Sequence, residues 1–174
     1  MMRRPVLITL SGAALLCALP ALAQTPPAAA PAATPAPLPP YAAAPVDLAL
    51  AKKLVAAAEA EARRNGWTMA FAVVEPSGAL VAFEKMDGTQ YGSIEVAQAK
   101  ARTAARFRRP SKAFADQVAD GRLGVMSLDG VVAIEGGVPI VVDGKIVGAI
   151  GVSGGSSAQD GQVAQAAIAA ALAK

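Results

Sequence analysis

A serine flanked by glycines stands where the last predicted strand ends, in the segment Gly151–Gly155 with the sequence G-V-S-G-G. This matches the G-x-S-x-G pattern, in which a strand-to-helix turn exposes a nucleophilic serine. A serine hydroxyl attacks only when a base takes its proton, and in a Ser-His-Asp triad that base is histidine. The chain has no histidine, and nothing in the sequence brings Lys100 to the serine. We therefore interpret the motif as a tight turn of small residues, and no competent nucleophile–base pair indicates an enzyme.

The same turn has the features of an anion site. Gly154, Gly155 and Ser156 precede an alanine-rich segment, Gln159–Ala173, that predicts a helix. Free backbone N–H groups at a helix N-terminus bind carboxylates and phosphates. The spacing is neither G-x-G-x-x-G nor a P-loop, so nucleotide binding is unsupported. Ser156 or Ser157 can instead cap the helix with its own hydroxyl, and the sequence leaves both interpretations open.

A second predicted helix, Ser93–Phe107, and the residues after it carry the densest positive charge, from Lys100, Arg102, Arg106, Arg108, Arg109 and Lys112. The spacing of Arg102, Arg106 and Arg109 is i, i+4, i+7, which predicts one shared face, whereas Lys100 and Thr103 belong to another. Guanidinium groups on one face pair well with carboxylates. A solvated basic face is the alternative interpretation.

Four apolar runs predict the strands that position these residues: Thr68–Val74, Ala79–Lys85, Val138–Val142 and Ile146–Val152. The first run is apolar on both faces, which is typical of a central strand. Turn sequences lie between the members of each pair, at Glu75–Gly78 and at Asp143-Gly144, and they predict two antiparallel hairpins.

The helices predicted around these strands are Leu48–Arg64, capped by Asp47, then Ser93–Phe107, a short helix to Val118 capped by Ser111, and Gln159–Ala173. Gly121–Gly130 is expected to be a loop and Val131–Ile134 a short edge strand. The fold class is therefore α/β of the α+β kind, with a largely antiparallel sheet flanked by helices.

The first 23 residues predict a secretory signal peptide. Arg3-Arg4 supply the positive start, Val6–Leu19 the apolar stretch, and Ala21-Leu22-Ala23 an A-x-A cleavage site. The mature chain is then expected in the periplasm or outside the cell, without a membrane span, and the export route stays open. Cleavage removes Cys17, the only cysteine, so disulfides, Cys/His zinc sites and covalent c-type haem are excluded.

Residues 24–46 are mostly proline and alanine, which predicts a semi-rigid tether, with packing along the domain as the alternative. Residues 47–174 then form one domain. The net charge of +3 drops to about +1 once Arg3 and Arg4 are removed, so nothing indicates a nucleic acid partner.

Several motifs in one order resemble the GlcG/HbpS family of small haem-binding or haem-associated domains. They are Lys85-Met86-Asp87-Gly88, Lys100–Ala105, Arg109-Pro110-Ser111 and Gly136–Asp160, and the resemblance covers roughly residues 47–172. It implies a profilin- or PAS-like architecture, a homo-oligomer, and haem or a related tetrapyrrole as ligand for sequestration, transport or sensing.

The resemblance also implies roles for the residues above. Arg102, Arg106 and Arg109, with Lys100 nearby, would pair with haem propionates, and Tyr91 or Thr103 would approach the iron, since a phenolate ligates ferric iron. The second hypothesis is a binding module for a small carboxylate metabolite, which uses the glycine turn and the same arginines without iron. An enzyme acting on a small organic acid ranks last.

Overall fold

The helices and the four strands follow one another along the chain in the order that the sequence predicts. The structure is a computed structural model that describes residues 37–173; the predicted signal peptide and residues 24–36 of the predicted tether lie outside that range. The elements are α1 (Leu48–Arg64), β1 (Ala70–Val74), β2 (Leu80–Lys85), α2 (Gly92–Phe107), α3 (Lys112–Ala119), a 3-10 helix (Leu123–Ser127), β3 (Gly137–Val142), β4 (Lys145–Ser153) and α4 (Ser157–Leu172).

The four strands form one antiparallel sheet in the order β2-β1-β4-β3, which confirms the predicted α+β class. β1 is a central strand and is buried along its whole length, as its two apolar faces predict. Asp143 and Gly144 have φ values of 49° and 74°. Positive φ at both central residues is what a two-residue hairpin turn requires, and so the turn sets the register of β3 against β4.

Helices cover both faces of the sheet. Phe71 and Val73 point to the face that α1 and α4 cover, and Ala70 and Ala72 to the face that α2 covers. Alanines also line the buried side of α2, and they let the helix approach the sheet closely. A Cβ atom at Gly151 would overlap the backbone of α2, so this glycine in β4 is needed for that approach.

The segment between α3 and β3 differs from the prediction. Gly121–Gly130 contains a 3-10 helix, and Val131–Ile134 is not a strand. The reason is that the segment binds α2 instead of the sheet edge, because the Val132 N–H donates to Thr103 Oγ1 at 2.9 Å. Periodicity alone does not distinguish these two ways of satisfying the backbone.

Two predicted helix caps have different outcomes. The Leu50 N–H donates to Asp47 Oδ1 at 2.7 Å, so Asp47 caps α1. Ser111 stands at the start of α3 and makes no side-chain cap. Its hydroxyl donates to Ile134 O at 2.6 Å and accepts from the Gly137 N–H at 2.9 Å, which ties α3 to the start of β3.

The end of the predicted tether is bound to the domain. The Ile146 N–H donates to Pro40 O at 2.9 Å, the Ala42 N–H donates to Ile146 O at 2.9 Å, and Val46 is buried. The pairing of β1 with β4 ends at Val74 and Ala149, which leaves the backbone of Ile146 without a partner from β1. Residues 40–46 take that place, so they belong to the folded domain and not to a tether. Within residues 37–173, no helix is long and apolar enough to cross a membrane.

Candidate ligand-binding site

The glycine turn before α4 binds acceptors from its own chain. The Gln159 N–H donates to Ser156 Oγ at 3.3 Å, and the Ser156 N–H donates to Gln159 Oε1 at 2.8 Å, which makes a capping box. The Gly155 N–H donates to Asp160 Oδ1 at 3.0 Å. The capping interpretation therefore describes Ser156, and the carboxylate of Asp160 occupies the place that an anion would take. Gly154 bends the chain here with φ of 153°.

Lys100 is the buried partner of Asp160. Its Nζ donates to Asp160 Oδ2 at 2.6 Å and to Val152 O at 3.1 Å, and the two side chains are 1% and 3% exposed. Burial raises the pKa of the Asp160 carboxyl, while the Lys100 ammonium and the Gly155 N–H oppose that rise. The pair joins α2 to α4. The Lys100 ammonium is therefore buried and paired within the domain, and it is not exposed to a ligand in solution.

Thr103 is also buried, and its hydroxyl bonds to groups of its own chain. It is fully buried, and its hydroxyl donates to Ala99 O at 2.9 Å within α2 and lies 3.3 Å from Gly130 O. It also accepts from the Val132 N–H. The Thr103 hydroxyl thus links α2 to the segment before β3. Its role at a haem iron stays a prediction.

In contrast to the buried Lys100 and Thr103, Tyr91 is almost fully exposed. Its side chain is 85% exposed, and it immediately precedes α2. The 16 residues of α2 separate it from Arg108 by roughly 24 Å, given the 1.5 Å rise per residue. Tyr91 and the arginines beyond the end of α2 therefore do not belong to one compact site.

The three predicted arginines do not share one face. Arg102 Nη2 donates to Gln98 Oε1 at 3.0 Å, and Arg106 Nε donates to Ser77 O at 2.8 Å, in the turn between β1 and β2. Arg108 ends α2 in the left-handed conformation with φ of 55°. The chain turns there, so Arg109 leaves the helical face that its spacing predicts.

This turn places Arg109 at an apolar groove of about 390 Å³. The groove is lined by Pro37–Pro39, Arg108–Pro110, Val138, Pro139, Val141 and Ile146. Its walls thus come from the N-terminal segment, the connection after α2, and the edge of the sheet. Apart from the two arginines, the lining side chains are apolar.

The two guanidinium groups at the groove are held by aromatic rings. Arg108 Cζ lies 5.6 Å from the centre of the Tyr41 ring, and Arg109 Cζ lies 5.7 Å from the centre of the Phe114 ring. Such cation–π contacts fix the groups without neutralising them. Among residues 37–173, neither arginine forms an ion pair. The two arginines that line the groove therefore keep their charge without a carboxylate partner among the described residues.

Sequence reasoning found Arg109 but missed Arg108 and Pro37–Pro39 as neighbours. The doublet of arginines before Pro110 was the one available signal, because proline ends a helix and so turns the flanking side chains away from its face. In the part of the chain that the structure describes, no three acidic, histidine or cysteine side chains converge on a metal site.

The fold and the groove define a small α+β domain with an apolar groove that two arginines help to line. The chain belongs to the HbpS-like family, whose model, described as "Haem degrading protein HbpS-like", matches residues 46–169. This confirms the family that the sequence motifs indicate.

Three relatives illustrate the family. GlcG of Escherichia coli K12 is 45% identical over 104 residues, which are 60% of this chain and 78% of GlcG. A double mutant of Streptomyces reticuli HbpS superposes with a TM-score of 0.70 at 30% identity, over 85% of this chain and 100% of the mutant. The crystal structure of a PduOC–haem complex gives a TM-score of 0.67 at 30% identity, over 72% of this chain and 94% of PduOC.

Proposed function

We propose that the mature protein binds haem or a related tetrapyrrole in the groove at the end of α2. The observation that carries this proposal is the pair of arginines, Arg108 and Arg109, held beside apolar walls without a carboxylate partner from residues 37–173. A porphyrin with propionates combines an apolar ring with carboxylates, and guanidinium groups bind carboxylates strongly. The similarity to PduOC, whose structure contains haem, supports the same ligand class.

The groove residues fit the ring and the carboxylates but supply no strong iron ligand. Among the residues that the structure describes, no histidine, cysteine, methionine, tyrosine or lysine lines the groove. A bound haem brings its own redox chemistry in the iron. When haem binds, Val138 and Pro139 would hold the ring, and Arg108 and Arg109 would hold its carboxylates. Recognition therefore depends on the porphyrin more than on the metal.

A titration with two ligands tests this proposal. The mature protein is titrated with hemin and with metal-free protoporphyrin IX, followed by the Soret band and by intrinsic fluorescence of Trp67. We expect both ligands to saturate, with dissociation constants within about threefold of each other and a high-spin ferric spectrum for hemin.

The matched control is Tyr91→Phe, which removes the exposed phenol far from the groove. It is expected to leave the hemin spectrum and affinity unchanged. Hemin binding more than about tenfold tighter than that of protoporphyrin, together with a spectral change in Tyr91→Phe, would assign the iron to Tyr91. The absence of saturable binding by either ligand would refute the proposal.

A small apolar carboxylate is the second candidate ligand. The groove volume of about 390 Å³ lies near the lower end of the range for small-molecule pockets, roughly 300–1,000 Å³. Thermal stabilisation by benzoate but not by acetate, without porphyrin binding, would favour this candidate. The same arginines would then bind a single carboxylate.

Export and self-association belong to the same proposal. The signal peptide motif implies cleavage after Ala23, so the intact mass of the exported protein is expected to begin at Gln24. The exposed apolar side chains Leu123, Met126 and Leu128 suit contact with a second copy of the chain. Sedimentation at several concentrations measures that association.

A further inference from the structure

The N-terminal strap, residues 37–46, almost wholly precedes the family match, which begins at residue 46. It is nevertheless bound to the domain by backbone hydrogen bonds on both sides of Tyr41. The Ile146 N–H donates to Pro40 O and the Ala42 N–H donates to Ile146 O, each at 2.9 Å. The Val46 N–H donates to Val147 O at 2.7 Å. The strap therefore lies before the family match and is fixed to the domain by its own backbone.

Tyr41 anchors the strap to the end of α2. Its hydroxyl lies 3.0 Å from Ala105 O and 2.9 Å from Arg106 O, which are among the last carbonyls of the helix. These carbonyls have no partner within the helix, so the tyrosine hydroxyl satisfies groups that otherwise depend on water. The guanidinium of Arg108 also lies over the Tyr41 ring in a cation–π contact, and Arg108 Nη1 lies 3.5 Å from Pro39 O.

We infer that Pro37, Leu38 and Pro39 form a wall of the groove that selects ligands with a rigid apolar body beside a carboxylate. These three residues line the groove together with residues of β3 and β4, and Leu38 and Pro39 are half-buried. Proline fixes φ, so two prolines present a preformed surface that loses little conformational freedom on binding. The inference rests on the proposed function for the location of the ligand, and it adds that the strap determines which ligand fits.

The wall also explains why Arg108 is placed for a ligand. The guanidinium lies between the Tyr41 ring and the backbone of Pro39, so the strap orients it. A ligand that contacts the wall therefore meets an oriented positive charge beside it. Without the wall, the groove loses one apolar side, and the remaining surface, formed by the β3 edge and Ile146, is open to solvent.

The test replaces the wall in the full mature chain and keeps the anchor. Pro37→Gly, Leu38→Ser and Pro39→Gly are combined, while Pro40, Tyr41 and all backbone hydrogen bonds to Ile146 remain. The matched control makes the corresponding replacement four residues earlier, Ala33→Gly, Thr34→Ser and Pro35→Gly. Both proteins are titrated with hemin and with anilinonaphthalene sulfonate, a fluorescent apolar anion, and their melting temperatures are compared to show that they fold.

We expect the wall variant to bind both probes about tenfold more weakly than the control variant, because Leu38 and the prolines lose their apolar contact. Equal binding of both probes by the two variants would overturn the inference. If wild type binds anilinonaphthalene sulfonate through the wall but does not bind hemin, the proposed function fails and the wall stands. If hemin binds wild type and both variants equally, the proposed function stands and the wall fails.

Discussion

The glycine turn before α4 and the groove after α2 both collect donors that suit an anion, and they differ in what those donors already bind. At the turn, the Gly155 N–H and the Lys100 ammonium share the carboxylate of Asp160. At the groove, Arg108 and Arg109 lie against aromatic rings, and neither pairs with a carboxylate of residues 37–173. A cluster of donors is therefore available to a ligand only where the chain supplies no acceptor of its own.

The largest expected effect is on the turn. Asp160→Asn keeps an acceptor for the Gly155 N–H but leaves the Lys100 ammonium buried without a countercharge. Removing one member of a buried ion pair typically costs about 3–5 kcal/mol. We expect the free energy of unfolding, measured by urea denaturation, to fall by that amount, while the hemin affinity of the folded fraction stays unchanged.

The matched control for this prediction is Lys100→Met combined with Asp160→Asn. It removes both charges, so it is expected to be more stable than Asp160→Asn alone. A fully stable Asp160→Asn protein with weakened hemin binding would show that the turn, and not the groove, is the ligand site.

The next effect is on the groove. Arg108→Ala and Arg109→Ala are each expected to weaken hemin binding by about 1.5–3 kcal/mol, the usual value for a hydrogen bond to a charged group. Arg102→Ala and Arg106→Ala serve as controls, because these arginines donate to Gln98 and Ser77 and do not line the groove. If all four variants lose the same affinity, binding reflects overall positive charge and not the groove.

The sequence predicted the elements whose causes are local. The apolar faces of Thr68–Val74 indicated a central strand, and Asp143-Gly144 indicated a tight hairpin, because both signals depend on neighbouring residues. The candidate site was harder. Lys100 was predicted to lie near a ligand anion, but in the structure it pairs with Asp160, which is 60 residues away.

Contacts between distant segments account for the remaining differences. Spacing placed Arg109 on the face of Arg102, but the left-handed Arg108 ends that face. The composition of residues 40–46 predicted a tether, yet the backbone of Ile146 forms hydrogen bonds with this segment. The part of β4 that β1 leaves without a partner, and the groove beside it, exist only once the sheet has formed. No local sequence pattern therefore predicts them.

A smaller effect tests the capping interpretation of the turn. Ser156→Ala removes the hydroxyl that accepts from the Gln159 N–H. Loss of a serine N-cap typically costs about 1 kcal/mol. We expect the melting temperature to drop accordingly with hemin affinity unchanged, and Ser157→Ala, which lacks this role in the cap, is the control. A loss of hemin affinity in Ser156→Ala would indicate that the turn takes part in ligand binding.

The smallest effect concerns the anchor of the strap. Tyr41→Phe keeps the ring under Arg108 but removes the hydroxyl that lies near the carbonyls of Ala105 and Arg106. A single neutral hydrogen bond contributes about 0.5–1.5 kcal/mol. We expect a loss of stability of that size in urea denaturation and nearly unchanged hemin affinity, whereas Tyr41→Ala is expected to weaken both. Equal behaviour of the two variants would mean that the ring does not orient Arg108.

The central claim is that the ligand lies at the end of α2 and not at the glycine turn or beside Tyr91. The most direct measurement is a crystal structure of the mature protein grown with hemin. The account predicts a tetrapyrrole against Pro37–Pro39 and the β3 edge, with its carboxylates within about 3 Å of Arg108 and Arg109. Hemin bound at Gly154–Ser156 or coordinated by Tyr91, with the groove empty, would contradict it.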